Sequence, residues 1–395
     1  MTAPNPEDLE IKVATSLEAV PPEAWDACAN PAGGASTGSE THNPFLSHAF
    51  LSSLEEAGCV GERTGWAPLH VLVERGGGLV ACAPCYLKNH SQGEYVFDHA
   101  WADAYQRAGG RYYPKLQVSV PFTPVTGPRI LARPDEGRAE ARAAAVSGLK
   151  TLRAQIGASS IHATFLTDDD ADLLEGSGFL PRTDQQFHWI NEGYGSFDDF
   201  LNALASRKRK AIRRERRDAL STGIEIEWAT GRSLTEAHWD AFHAFYMDTG
   251  SRKWGRPYLN RKFFSLIGER MPERILLVLA QREGRPIAGA INFIGDRRLY
   301  GRNWGCVEDH PFLHFEVCYY QAIEFAIARG LQVVEAGAQG EHKLARGYRP
   351  VITRSAHEIA DPSLRRAVDA YLRQERSYVS EVVGELDHAT PFRKD

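Results

Sequence analysis

A short stretch near the C-terminal end of the chain holds an unusual density of side chains that can do chemistry. Residues 335–348 read EAGAQGEHKLARGY, with three glycines and the polar side chains Gln339, Glu341, His342, Lys343 and Arg346. Glycine lets the backbone approach a ligand closely or adopt a positive φ. A carboxylate, an imidazole and an ammonium side by side can transfer protons. The stretch is therefore a candidate active site, although a tight turn with a solvated polar tip has the same composition.

His342 is the preferred general base of this candidate site, because imidazole titrates near neutral pH. Glu341 would orient His342 or replace it. Lys343 and Arg346 are poor bases while charged, and they fit better as contacts to a donor phosphate or an acceptor carboxylate. The alternative is that Glu341 and Lys343 form a surface ion pair and that His342 only packs.

Secondary-structure patterns predict which elements surround the candidate turn. The aliphatic residues at 331–334 indicate a strand directly before it, and Cys318–Arg329 indicates a helix. We expect the neighbouring strand, the start of that helix and the first half of the chain to supply further contacts. The residues expected to bind substrate are Glu335, Lys343, Arg346, Arg302, Trp304, His314, Glu316, Tyr112 and Lys115.

Two histidines four residues apart, His310 and His314, raise the question of a metal site. Pro311 fits the first turn of a helix, which places His310 at or outside the cap and not one turn below His314. We therefore predict no metal site. The free N–H groups at the start of such a helix are better suited to an anion.

Length and composition indicate a globular chain with more than one domain. The 395 residues are 43% hydrophobic and 25% charged, and chains of this length usually divide into two domains. The net charge of −5 means that nucleic-acid binding would need a local basic patch. Neither a signal-peptide pattern nor a long apolar run is present, so we expect a cytoplasmic protein without a transmembrane segment.

A predicted β-hairpin recurs about half a chain later. Arg75–Ala83 aligns without a gap with Arg282–Ala290, and a helix and further strands are predicted after each copy. The pattern indicates a duplicated α/β (α+β) unit, a mixed β-sheet flanked by helices, with chance similarity of one hairpin as the alternative. We expect a first lobe over residues 1–195, which carries the substrate groove and an aromatic insertion. The second, catalytic lobe would span residues 222–395 and end in a docking helix capped by Asp361.

A basic helix is predicted between the two lobes, over residues 196–221. Eight lysines and arginines fall within the eleven positions Arg207–Arg217, and apolar residues recur at helical spacing on the other side. This pattern is compatible with a solvated helix face, an RNA or phosphate cradle, or a contact to a membrane surface.

Several motifs resemble one known family. GAQGEHKLARGYRP at 337–350, followed by Ser355–Ala356–His357, resembles the signature of the FemAB-like proteins of the GNAT superfamily, which are predicted N-acyltransferases. The segment Gly289–Tyr320 resembles the same family, as does the aromatic run His99–Trp101 with Tyr112–Lys115. The resemblance extends from about Asn43 to the C-terminus.

The resemblance implies tandem GNAT-like lobes that transfer an acyl or aminoacyl group directly to a small-molecule or peptide amine. No cofactor would be tightly bound; acyl-CoA or aminoacyl-tRNA would be a co-substrate. A similar basic helix in Fem transferases makes tRNA a possible partner of Arg207–Arg217. The usual GNAT pyrophosphate loop is absent, which departs from ordinary acetyl-CoA binding. The alternative function is a non-catalytic module that recognises a peptide, a cell-wall fragment or RNA.

Overall fold

The computed structural model describes residues 8–31, 42–135, 137–253, 257–337 and 340–393, apart from the side chains of residues 251–253 and 341. The strands are β1 (Leu9–Ala14), β2 (Trp66–Pro68), β3 (His70–Arg75), β4 (Gly78–Ala83), β5 (Cys85–Lys88), β6 (Lys115–Val118), β7 (Leu131–Ala132), β8 (Ser160–Leu166), β9 (Leu180–Ile190), β10 (Ile224–Thr230), β11 (Ile275–Arg282), β12 (Arg285–Ile294), β13 (Arg298–Cys306), β14 (Val333–Glu335) and β15 (Arg349–Ile359). The helices are α1 (Pro22–Ala29), α2 (His48–Glu56), α3 (His99–Arg107), α4 (Arg138–Ile156), α5 (Asp168–Gly176), α6 (Phe197–Ala203), α7 (Ser206–Ala219), α8 (Glu236–Lys253), α9 (Arg261–Arg270), α10 (Leu313–Phe315), α11 (Gln321–Ala328) and α12 (Pro362–His388).

The chain forms two compact units that are not contiguous in sequence. Unit 1 consists of the described residues within Met1–Thr37, Phe45–Asp184 and Ile352–Glu381. Unit 2 consists of those within Gly38–Pro44, Gln185–Val351 and Val382–Asp395.

This division differs from the expected lobes 1–195 and 222–395 with a connecting helix between them. The reason is the pairing of two strands. The last residues of β9 pair with β14 inside unit 2, although β9 follows the elements of unit 1 in the chain. The last residues of β15 pair with β8 inside unit 1, although β15 follows the elements of unit 2.

The predicted basic helix also lies inside unit 2, and it is two helices rather than one. The helix is interrupted between α6 and α7, where Leu204 forms a β-bridge with Phe392. Ile212 of α7 packs into the core of unit 2, and Ala219 is likewise buried, as their helical spacing predicts.

Unit 1 contains two sheets with a shared apolar core. The first has the strand order β1-β3-β4-β7 and is antiparallel throughout. The second contains β2, β5, β6, β8 and the end of β15, with β6 and β8 parallel to each other. Helix α4 packs against β1, β3 and β4 with its buried alanines and leucines, because small side chains let the helix approach the sheet closely.

Unit 2 contains one mixed sheet in the order β10-β11-β12-β13-β14-β9. Strands β10 to β13 are antiparallel, β14 is parallel to β13, and the end of β9 is antiparallel to β14. Helix α8 packs against β12 and β13, and α11 packs against β13 and β14. The expected fold class, mixed sheets flanked by helices in two lobes, is confirmed.

The repeated hairpin is β3–β4 in unit 1 and β11–β12 in unit 2. In each unit its strands are the second and third in the strand order of the sheet. Arg75 pairs with Gly78 at one turn and Arg282 with Arg285 at the other, as the gapless alignment predicts. Each hairpin has one β-bulge, with Val80 as the extra residue in β4 and the aligned Ile287 as the extra residue in β12. Shared turn register and bulge position make chance similarity a poor explanation of the repeat.

The C-terminal helix α12 begins as the sequence predicts. The Asp361 carboxylate accepts hydrogen bonds from the N–H groups of Ser363 (2.9 Å) and Leu364 (2.7 Å). Pro362, the first helical residue, loses nothing by having no N–H at this position. The side chains of Leu364, Val368 and Leu372 pack into an apolar cluster of unit 1.

Candidate active site

A pocket opens in unit 2 where the parallel strands β13 and β14 part. The two strands pair only over Arg298–Tyr300 and Val333–Glu335, and β13 then continues to Cys306 paired only with β12. The pocket has a volume of about 90 Å³. Its wall consists of Ala290, Asn292, Gly301, Arg302, Asn303, Trp304, His314, Cys318, Tyr319 and Ala336.

A β-bulge shapes the β13 side of the pocket. Asn292 pairs with Gly301 and Ile291 with Asn303, which leaves Arg302 as the extra residue. Bulges of this kind redirect side chains and are frequent next to active sites. A Cβ at Gly301 would lie 3.3 Å from the carboxamide oxygen of Asn292 and 3.4 Å from the carbonyl oxygen of Glu335. Glycine at this position therefore keeps the wall open.

The opposite wall is one helix with a wide turn in its middle. A π-helical segment, Glu316–Tyr320, joins α10 to α11. The wider turn brings residues five apart nearer to one face, and His314 and Tyr319 both line the pocket. Phe312, directly before α10, adopts a left-handed φ of 64°. For a bulky residue this is a strained conformation, of the kind that clusters at functional sites.

His342 lies behind the pocket wall and contacts it through Tyr319. It belongs to a 3₁₀ turn over Glu341–Arg346, and its Nε2 is 2.9 Å from the Tyr319 hydroxyl. Partial burial lowers the pKa of His342, and the charges of Arg346 and Lys343 lower it further. The imidazole is therefore neutral at neutral pH, which is the form that a general base needs.

Burial raises the pKa of Tyr319 far above its usual range, so its hydroxyl keeps its proton. Tyr319 can donate that proton to His342 while it accepts another from a group in the pocket. The side chain of Glu341, the second expected catalytic residue, lies outside the described part of the structure.

Lys343 and Arg346 hold the turn that carries His342. Lys343 is buried, and its ammonium donates to the carbonyl oxygen of Gly337 at 3.0 Å. Burial lowers the pKa of Lys343 to about 8. Arg346 donates to both carboxylate oxygens of Glu215, at 2.9 and 3.0 Å, and to the carbonyl oxygen of His342 at 2.8 Å. The expected contacts to a phosphate or carboxylate ligand are corrected accordingly, because both cations are buried and engaged inside the fold.

A family model described as peptidoglycan biosynthesis/recognition matches residues 16–394. The chain belongs to the FemAB-like family. The resemblance seen in the sequence motifs is thereby confirmed. No curated protein sequence matches the chain significantly.

Solved structures with a similar fold include FemX, with a TM-score of 0.53 and 14% sequence identity over 89% of this chain and 98% of that one. A tandem GNAT protein from the clavulanic acid biosynthesis pathway has a TM-score of 0.47 and 11% identity over 90% of this chain and 99% of that one. L-PGS from Bacillus licheniformis has a TM-score of 0.48 and 10% identity over 86% and 99% of the two chains. At this level of identity the similarity to FemX shows the fold of this FemAB-like protein.

Three of the expected substrate contacts, Arg302, Trp304 and His314, lie on the pocket wall. Besides Lys343 and Arg346, two others in unit 2, Glu316 and Glu335, do not. Glu316 is fully buried and accepts hydrogen bonds from Arg216 (2.9 and 3.0 Å) and Gln321 (2.7 Å).

Glu335, the last residue of β14, is likewise buried, and its carboxylate accepts from Arg298 at 2.9 Å. The expectation that Glu316 and Glu335 contact substrate is corrected, because their carboxylates neutralise arginines inside the fold.

Tyr112 and Lys115 belong to unit 1 and are fully buried there. The Lys115 ammonium donates to Glu94 (2.7 Å), to Ser91 (2.9 Å) and to Asp98. The Tyr112 hydroxyl donates to the same Asp98 carboxylate at 2.7 Å. Their expected role as groove contacts is corrected, because this ionic cluster leaves neither side chain accessible.

Sequence reasoning missed Asn292, Cys318 and Tyr319. Tyr319 could have been found from the sequence, because it lies in the segment Gly289–Tyr320, which resembles the family. It also comes only six residues after Leu313, where the helix begins. Asn292 lies in the same segment, but a single asparagine in an apolar strand has no motif that assigns it a role.

Among the described residues, no group of three His, Cys, Asp or Glu side chains could hold a metal ion. His310 instead contacts the Glu308 carboxylate, with 2.9 Å between Nε2 and Oε2. No helix in the part of the chain that the structure describes is long and apolar enough to cross a membrane.

Proposed function

We propose that unit 2 of this FemAB-like protein transfers an acyl or aminoacyl group to an amine by direct attack. The observation that carries the proposal is the hydrogen bond between neutral His342 and Tyr319, whose ring lines the pocket at the parting of β13 and β14. An amine is protonated in water, so it must lose a proton before it can attack. A neutral imidazole linked to the pocket supplies the base.

In the proposed reaction, Tyr319 passes its hydroxyl proton to His342 as it accepts one from the amine. The amine nitrogen then attacks the acyl carbonyl, a C–N bond forms, and the C–S or C–O bond to the donor breaks. The nitrogen then loses its second proton, which the released thiolate or alkoxide takes up. Arg302 on the pocket wall stabilises the negative charge that develops on the carbonyl oxygen.

The donor in this proposal is acyl-CoA or aminoacyl-tRNA. Helix α7 favours the RNA, because Arg207, Lys208 and Lys210 are exposed at its start. Arg216 cannot belong to such a surface, since its guanidinium binds Glu316 and Glu324. We expect the RNA affinity of the wild type to fall steeply as the salt concentration rises. Charge reversal at the three exposed residues should abolish this binding. Binding that is absent, or independent of salt, would contradict the RNA donor.

The test of the proposed function is acyl transfer to a peptidoglycan-peptide amine with each donor class. His342→Ala and Tyr319→Phe should each lower turnover by about a hundredfold or more, as loss of a general base does. His310→Ala, which removes a histidine outside the pocket wall, is the matched control. Near-wild-type rates in both site variants would refute the assignment. The family description also includes recognition, so ligand binding without any turnover by the wild type would favour the non-catalytic alternative.

A further inference from the structure

A buried acceptor atom in the pocket has no partner within the described part of the chain. Asn292 on β12 lines the pocket and is 1% exposed. Its carboxamide oxygen accepts no hydrogen bond from any residue that the structure describes. A buried polar atom without a partner is destabilising, so such atoms call for an explanation.

The neighbours of Asn292 fix which end of the amide faces the pocket. Its Nδ2 lies 3.5 Å from the carbonyl oxygens of both Leu276 and Ala290. Because these neighbours are acceptors, the amide nitrogen must face them and the oxygen must point away. The oxygen lies on the side of Gly301, where a Cβ would approach it to 3.3 Å, and Gly301 is part of the pocket wall.

We propose that Asn292 Oδ1 accepts a hydrogen bond from a primary amine in the pocket and so orients its nitrogen for attack. This inference rests on the proposed function and names the group that the pocket takes. The amine is that of the acceptor, because Tyr319 on the same wall leads to the base and only the acceptor amine gives up a proton. Gly301 leaves the space that the amine needs beside the oxygen.

Cys318 offers a way to measure this contact without a known donor. Its side chain lines the same pocket and is partly exposed, whereas Cys28, Cys59, Cys82 and Cys85 are buried. The probes are 2-aminoethyl methanethiosulfonate, which carries a primary amine, and ethyl methanethiosulfonate, which does not. Their rates of reaction with Cys318 are followed by mass spectrometry. Partly exposed Cys306, outside the pocket wall, serves as the internal reference.

The measured quantity is the ratio of the aminoethyl rate to the ethyl rate at Cys318. One hydrogen bond should make this ratio about threefold to tenfold higher in the wild type than in Asn292→Leu. Repulsion of the amine by Arg302 acts in both proteins and cancels in the comparison. Asn292→Asp keeps the shape and the acceptor, so its ratio should equal or exceed that of the wild type.

Equal ratios in the wild type and Asn292→Leu would overturn the proposal, as would a Cys318 that neither reagent modifies. If Asn292→Leu does not fold, Asn292→Asp decides, since a ratio below the wild-type value would contradict an acceptor at this position. The labelling involves no acyl transfer. A clear amine preference in a protein without transferase activity would therefore refute the proposed function and the role of Asn292 in attack, while the hydrogen bond from Asn292 to an amine would stand.

Discussion

Each unit contains a pair of parallel strands with a gap beyond their paired residues, and this gap is open in unit 2 but filled in unit 1. In each unit a pair of parallel strands separates, β6 from β8 in unit 1 and β13 from β14 in unit 2. In unit 2 the gap becomes the pocket. In unit 1 the loop before β7 returns to β8, where Gly127 bridges to Leu166 and Arg129 donates to the carbonyl oxygen of Thr164 at 3.0 Å. Unit 1 thus fills the place that unit 2 leaves open.

The polar groups of the two units differ accordingly. Unit 1 encloses Lys88, Lys115, Glu94 and Asp98, none of them more than 4% exposed. Burial raises the pKa of Glu94 to about 7, whereas the attraction of Lys115 outweighs burial at Asp98 and lowers its pKa. Titratable groups in a cavity suggest chemistry, but here they balance one another in a closed core. The comparison shows that accessibility, more than the presence of such groups, separates a site from a core.

The largest effect that tests this contrast is expected at Lys115. Lys115→Met leaves Asp98 buried without its ammonium partner and leaves Glu94 with only Lys88, 3.8 Å away, which should reduce the free energy of unfolding by about 3–5 kcal/mol. The measurement is equilibrium unfolding in urea. Lys12→Met, which breaks an exposed pair with Glu74, is the control and should change little. A loss under about 1 kcal/mol at Lys115 would mean that the cluster is open to water.

Lys88 makes the stability of unit 1 depend on pH. Burial lowers its pKa to about 7, against 10.5 for a free lysine. Between these values the unfolded chain holds the proton and the folded chain does not, so the contribution of Lys88 to stability rises with pH. From pH 6 to pH 9 the wild type should gain on the order of 2–3 kcal/mol relative to Lys88→Met.

Urea unfolding of both proteins at pH 6 and pH 9 measures this difference. The same substitution at exposed Lys208 controls for the loss of a charge. A stability difference between wild type and Lys88→Met that stays constant with pH would show that Lys88 keeps the pKa of a free lysine in the folded protein.

Making the pocket of unit 2 more like the closed gap of unit 1 should have a smaller effect. The Cβ of Gly301→Ala would press on Asn292 and on the carbonyl oxygen of Glu335. We expect slower modification of Cys318 by a small thiol reagent, because the added methyl group takes up space in the pocket. Gly384→Ala, where a Cβ meets nothing within 4 Å, is the matched control. Unchanged labelling in Gly301→Ala would place Cys318 outside this pocket.

The sequence predicted what depends on local pattern and missed what depends on distant partners. The hairpin repeat and the cap at Asp361 follow from turn and capping chemistry within a few residues. Arg302, Trp304 and His314 lie near the turn that the sequence singled out because strand and helix order alone brings them there. The burial of Glu316 depends on Arg216, a hundred positions earlier. The pairing of β9 with β14 and of β15 with β8 depends on partner strands that are far away in the sequence.

The smallest expected effect concerns the hairpin turns, where the two units are most alike. Gly76 and Gly77 both have positive φ, as do Glu283 and Gly284 at the aligned positions of unit 2. This is the type I′ geometry of two-residue hairpins, which glycine and asparagine adopt with little strain. A glutamate at φ 53° is strained, because its Cβ crowds the backbone. Glu283→Asn should therefore stabilise the protein by about 0.5–1 kcal/mol, while Gly76→Asn should be close to neutral. Thermal unfolding of the two variants measures the difference. Equal changes in Tm would contradict the prediction, because they would mean that Glu283 is no more strained than Gly76.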